Sequence, residues 1–233
     1  MFAIGVLSGA TAAVVGFGIG SLMTPLLLTR FTVSTAVGLV ALPHLIATGV
    51  RFVRHRHAID RAVLVRFGIP SAIGGAAGGL LHGQLRSDTL IAVLAILLIL
   101  TGIANLTNGF GRWQPARGVA AGVGLLSGVF GGLVGNQGGL RAAGLSAFDL
   151  PPRVFLATGT AVALLIDVAR TPFYLAKGSE QLLALWIPIA VATVGCVAGT
   201  IAGERVFLRM SPHFYRRVIG SAVLMLGVWL LVA

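Results

Sequence analysis

The sequence predicts an all-α protein that crosses a membrane several times and is built from two copies of one helical unit. Three observations predict it. Of 233 residues, 57% are hydrophobic and only 10% charged, with a mean hydropathy of +0.98, whereas soluble chains average about 25% charged. Apolar stretches, most of them near the roughly 20 residues that a spanning helix needs, follow one another with short polar joints. Residues of the first half also return in the second at a nearly constant distance.

The first stretch, 3–29, carries the glycine cluster Gly16–Gly20 (GFGIG). Its start, MFAIGVLSGA, lacks the basic region of a cleaved signal peptide and is expected to be retained. Stretches 34–53, 62–82 and 88–106 follow, joined by RHRHAIDR (54–61) and RSD (86–88). After NGFGRWQPARG (108–118) come 117–148, 152–176, 181–203 and 212–232, separated by DLPPR (149–153), KGSEQ (177–181) and ERVFLRMSP (204–212). No soluble domain fits between them. Stretch 117–148 contains GLVGNQGGLRAAGL at 131–144, where five glycines, an Asn-Gln pair and an arginine interrupt a membrane-helix pattern.

The duplication is read directly from the residues. Gly5-Val6-Leu7-Ser8-Gly9 matches Gly124-Leu125-Leu126-Ser127-Gly128 at an offset of 119, which also pairs Gly16 with Gly135, Gly20 with Gly139 and Arg51 with Arg170. Gly75, Gly79 and Gly83 pair with Gly195, Gly199 and Gly203 at an offset of 120. The spacing defines two membrane repeats, 1–110 and 111–233, within one integral membrane domain. Gly75, Gly79 and Gly83 share a helical face and are expected to pack helices.

The net charge of +11 is distributed in short clusters between apolar runs, with no nucleic-acid motif, so it reads as a topology signal. If 3–29 and 117–148 cross fully, giving eight crossings in two four-helix halves, lysines and arginines divide nine to seven with Arg141 left aside. If both are re-entrant broken-helix hairpins, each followed by three transmembrane helices, the halves are inverted and the division is twelve to four. The charge rule favours the hairpins, with both termini outside and RHRHAIDR in the cytoplasm.

Non-helical backbone at membrane depth survives where protein encloses it or where it lines a water-filled cavity. Transporters built from inverted repeats bind substrate at such breaks. Gly16, Phe17, Gly18 and Gly20 in one tip, and Gly135, Asn136, Gln137, Gly138 and Gly139 in the other, are therefore the substrate-binding candidates. Each tip frees backbone N–H groups at the positive end of a half-helix, which suits an anion. Arg141, just past the second tip, is an intramembrane cation; anion binding and pairing with a buried acid such as Asp167 both stand open as its role. Asn136 and Gln137 offer amide donors, or alternatively cap freed backbone.

At this point the chain resembles the sulfite exporter TauE/SafE family of bacterial inner-membrane proteins. The likeness rests on LSGATAAVVGFGIGSLMTP (7–25) and LSGVFGGLVGNQGGLRAAG (126–144), a Leu-Ser-Gly helix with a glycine cluster in each half. It implies duplicated helical modules that move small sulfur-containing or organic anions, and a bacterial plasma-membrane location. The family pattern is close to Gly-x-Gly-Gly-Gly followed by proline. The first half has GFGIG with Pro25, while the second has GNQGG with Gly144 in place of the proline.

Other intramembrane polar residues complete the reading. Asp167 and Arg170 share one helix face, an internal ion pair by spacing. Asp167, Arg170 and His44 are also the proton-coupling candidates, although a histidine hydrogen-bonded within the bundle is the ordinary alternative for His44. His55 and His57 read as solvated charge or headgroup contacts, and Trp113, Trp186 and Trp229 as interface anchors. Cys196, the single cysteine, forms no disulfide within the chain.

Three function classes follow in order: a secondary transporter of small anions, an intramembrane enzyme, and a structural membrane protein. An enzyme needs a nucleophile with a base, or a ligand cluster; the six acids include none at metal-ligand spacing to a histidine. No catalytic residue, metal or cofactor is expected, and the expected partners are a small anionic substrate and the lipid bilayer, without nucleic acid. The oligomeric state is left open.

Overall fold

The computed structural model describes residues 1–15, 18–107, 116–207 and 212–232. All regular elements among them are helical. In chain order they are α1 (Phe2–Val15), a π-helical turn at Ile19–Met23 leading into α2 (Thr24–Leu27), α3 (Val33–His55), α4 (Arg61–His82) and α5 (Ser87–Leu106). Then come α6 (Arg117–Val134), α7 (Gly138–Leu145), α8 (Pro152–Ala184), α9 (Trp186–Phe207) and α10 (Pro212–Val232).

Among the described residues, five stretches are long and apolar enough to cross a membrane: Val33–Ala58, Arg61–His82, Ser87–Leu106, Pro152–Lys177 and Trp186–Arg205. The chain is a multi-pass membrane protein by this measure. Its outer surface agrees, since Leu7, Ile73, Leu183 and Met225 are exposed large apolar side chains that water would penalise and lipid does not. Trp186 and Trp229 face outward near helix ends; Trp113 lies outside the described residues.

Local chemistry sets the helix ends. Thr32 caps α3 by accepting a hydrogen bond from the Thr35 amide, and Asp60 caps α4 through the Val63 amide at 2.9 Å. Within α4, Pro70 has no N–H to give to the preceding turn, and a π-turn at Leu64–Gly68 precedes it. One boundary differs from expectation: KGSEQ does not form a loop, and α8 runs on to Ala184, with the turn at Leu185. Lys, Glu and Gln are good helix formers, so the fall in hydropathy at 177–181 marks a polar length of helix rather than its end.

Glycine faces allow close packing. α1 lies along α9, with Gly5 and Gly9 against the carbonyls of Ala192 and Cys196, and Gly199 against that of Val6. α6 lies along α4, where Gly128 faces the Ser71 carbonyl and Gly74 that of Leu125. α4 also packs on α8, with Gly75 against Ile166 and Gly79 against the Arg170 backbone, as expected for helix-packing glycines. α5 packs on α10, α3 on α8 and α3 on α9. Leu94, Leu98, Val134 and Val223 fill one core; Ile19, Met23, Leu39 and Cys196 a second; Phe67, Leu145 and Ile166 a third.

Arg51 and Arg170, counted above with the topology charges, are instead buried inside α3 and α8, 5% and 1% exposed. Neither samples the loops. Without them the hairpin topology divides the remaining charges eleven to three, and the eight-crossing topology seven to seven.

Candidate functional site

The two breaks in helical backbone come together. Gly18 has φ 150° and Gly135 φ 74°, conformations open to glycine and strained for other residues. A Cβ on Gly20 would stand 2.0 Å from the Gly135 carbonyl oxygen, so only glycine permits this approach. The Ser21 hydroxyl donates to Asn136 Oδ1 at 3.1 Å, joining the tips across 115 residues of chain. Gly16 and Phe17 lie outside the described residues.

Ending α6 at Val134 leaves its last carbonyls without helical partners. The Gly135 amide returns to the Gly131 carbonyl, which also accepts from Arg170 Nη1. The Tyr174 hydroxyl donates to the Gly132 carbonyl, and His82 Nδ1 to the Leu133 carbonyl at 2.6 Å. His82 also meets the Tyr174 ring edge-on at 5.2 Å. Three side chains from α4 and α8 thus satisfy the broken end, with the Arg170 cation at the negative pole of the helix.

On the other side of the break, the Ser127 hydroxyl donates to the Gln137 carbonyl at 3.1 Å. Gly138 and Gly139 begin α7, buried, and no side chain caps them. Asn136 Nδ2 and both amide atoms of the Gln137 side chain are buried without a hydrogen-bond partner among the described residues. Capping of freed backbone by these two amides is not seen there; Arg170, Tyr174 and His82 do that work instead.

Behind the tips sits a buried charged cluster. The Asp167 carboxylate, fully buried, receives Arg170 through Nε at 3.0 Å and Nη2 at 2.8 Å, and meets His44 Nδ1 at 2.5 Å. The expected Asp167–Arg170 pair is present, and His44 is hydrogen-bonded within the bundle, to that same carboxylate. Thr48 Oγ1 stands 3.3 Å from His44 Nδ1, and the Arg170 guanidinium lies 5.8 Å from the Tyr174 ring centre. Arg141, 6% exposed, lies near α8, its Nε 4.0 Å from where a Gly159 Cβ would be. Arg51, Asp167 and Arg170 are among the charged groups that act on it.

His55 departs from the solvated reading. Its Nε2 meets Glu204 Oε1 at 3.1 Å while Arg54 Nη2 holds Oε2 at 2.8 Å, tying the end of α3 to α9. His57 contacts Arg56 only at 3.5 Å. Sequence reasoning did not single out His82, Tyr174 and Ser21, which the structure brings to the breaks, nor the buried Arg51; for Arg51 the repeat offset was the available signal.

Helices long enough to span a membrane surround two broken helices where buried polar groups gather, an architecture that fits a membrane transporter. The chain belongs to the sulfite exporter TauE/SafE family, whose model matches residues 1–230. That family is one of membrane transporters. No curated protein and no solved structure matches the chain.

Proposed function

We propose that the protein is a secondary permease of a small anion such as sulfite, a sulfonate or an organic acid, working by alternating access between two inverted repeats in a bacterial plasma membrane. The observation that carries this reading is the meeting of the two tips, Gly20 against Gly135 and Ser21 on Asn136, beside unpartnered Asn136 and Gln137 amides and a buried Arg141. Asn136 Nδ2 and Gln137 Nε2 are buried donors there, and Arg141 is a buried cation a few residues further on. These donors and this cation suit a small oxyanion.

The packing supports the inverted arrangement. The pairs α1–α9 and α6–α4 exchange when the halves exchange, and α5–α10 and α3–α8 map onto themselves. Cross-chain contacts favour hairpins over eight crossings: Arg54 meets Glu204, Lys177 donates to the Gly83 carbonyl at 2.7 Å, and Thr35 to Gln181 at 3.2 Å. Hairpin topology puts both members of each pair on one side of the membrane, whereas eight crossings separate them. The termini then face outside. Asp167, His44 and Arg170 are the place where a coupling proton would reside.

Two measurements test this reading. In Cys196→Ala protein, a cysteine at position 57 is expected to resist an impermeant thiol reagent added to intact cells; labelling from outside contradicts the topology. In liposomes, Gly138→Leu protein, still inserted, is expected to lose labelled-sulfite uptake because the side chain fills the shared site. Normal uptake contradicts the shared cavity.

A further inference from the structure

The repeat offset places Arg51 where Arg170 stands in the other half, and Thr48 where Asp167 stands. Arg170 is fully engaged by Asp167, the Gly131 carbonyl and the Tyr174 ring. Arg51 is also buried, 5% exposed, yet its Nε has no hydrogen-bond partner among the described residues. Its helix offers only the Thr48 hydroxyl at the position of the missing carboxylate.

The surrounding charges do not balance. All six acids lie among the described residues. Asp88, Asp149 and Glu180 are exposed, Asp60 and Glu204 are half-buried, and Asp167 alone is buried. Arg51, Arg141 and Arg170 therefore share one buried carboxylate, and that one is held by His44 and Arg170. The half-buried Glu204, the other acid that acts on Arg51, is itself tied to Arg54 and His55, so positive charge outweighs negative around Arg51 and Arg141. Unbalanced charge at membrane depth is costly. An anion between the helices removes that cost, and a guanidinium fork suits the paired oxygens of a small oxyanion.

The geometry points to Arg51 as a second oxyanion-binding residue, acting with Arg141 from the opposite half of the molecule. It rests on the anion-permease reading and adds to it a subsite on α3. Glu204 is the acid whose charge Arg51 feels. That acid is tied to Arg54 and His55 at the end of α3, about one helical turn beyond Arg51. An oxyanion that reaches α3 meets an Arg51 whose Nε is unpartnered among the described residues, while Arg170 is already occupied.

The test compares native protein with Arg51→Gln and Thr48→Asp, purified in detergent and melted at increasing sulfite with ionic strength held constant by chloride. Thr48→Asp rebuilds in the first half the Asp-x-x-Arg pair of the second, filling Arg51 from within. Both variants are expected to need at least tenfold more sulfite than native protein for the same stabilisation, and to melt without sulfite at or above the native temperature. A sulfite response of Arg51→Gln equal to native, with Arg141→Gln impaired, removes Arg51 and leaves the permease reading intact. Native protein insensitive to sulfite, sulfate and methanesulfonate overturns the anion reading and this inference with it. A lower melting temperature for Arg51→Gln without sulfite, with Thr48→Asp responding as native does, makes Arg51 structural and also overturns it.

Discussion

Arg51 and Arg170 occupy the same place in the two halves and live in opposite circumstances. Arg170 closes a network: a carboxylate three residues before it, the freed end of α6 above it, and an aromatic face beside it. Arg51 has a threonine in place of the carboxylate and no partner for its Nε among the described residues. On the proposed duplication the residue is present twice, and the change from Asp167 to Thr48 is one of the differences that leave Arg51 less engaged than Arg170. The lesson is general for buried charge: its role is read from what compensates it, since removing one member of a satisfied pair strands the other.

The sharpest way to break this comparison is to neutralise each arginine in turn. Arg170→Gln strands Asp167 and part of the α6 terminus, and is expected to lower stability by about 3–5 kcal/mol, read as a large fall in melting temperature or in membrane level. Arg51→Gln is expected to cost nothing in stability. Equal losses in the two variants erase the asymmetry. A finer cut is Tyr174→Phe, which keeps the ring beside Arg170 and leaves the Gly132 carbonyl without its donor, at about 1–3 kcal/mol. A melting temperature unchanged by that substitution means that the broken end of α6 is satisfied without Tyr174.

Much of this was legible in the sequence, for local reasons. Glycine clusters inside apolar runs locate the breaks because glycine takes without strain the positive φ found at Gly18 and Gly135. The Asp167–Arg170 spacing forces a shared helix face. What stayed hidden depends on contacts far apart in the chain. His44 reaches Asp167 across 123 residues, and His82 reaches the Leu133 carbonyl across 51, with no periodicity to announce either. Arg51 was masked by its neighbourhood: in RFVRHRH it reads as the first of a basic cluster, and only the depth of α3 separates it from Arg54, which is exposed and ion-paired. KGSEQ misled for the converse reason, because polarity alone does not end a helix.

The most direct test of the account as a whole is labelled-sulfite uptake into liposomes by native protein and by Arg141→Gln, with folding checked by melting. The account predicts saturable uptake by native protein, and an affinity lowered about tenfold to several hundredfold in Arg141→Gln, the loss of one or two charge-assisted hydrogen bonds of roughly 1.5–3 kcal/mol each. A well-folded Arg141→Gln protein with undiminished affinity contradicts it.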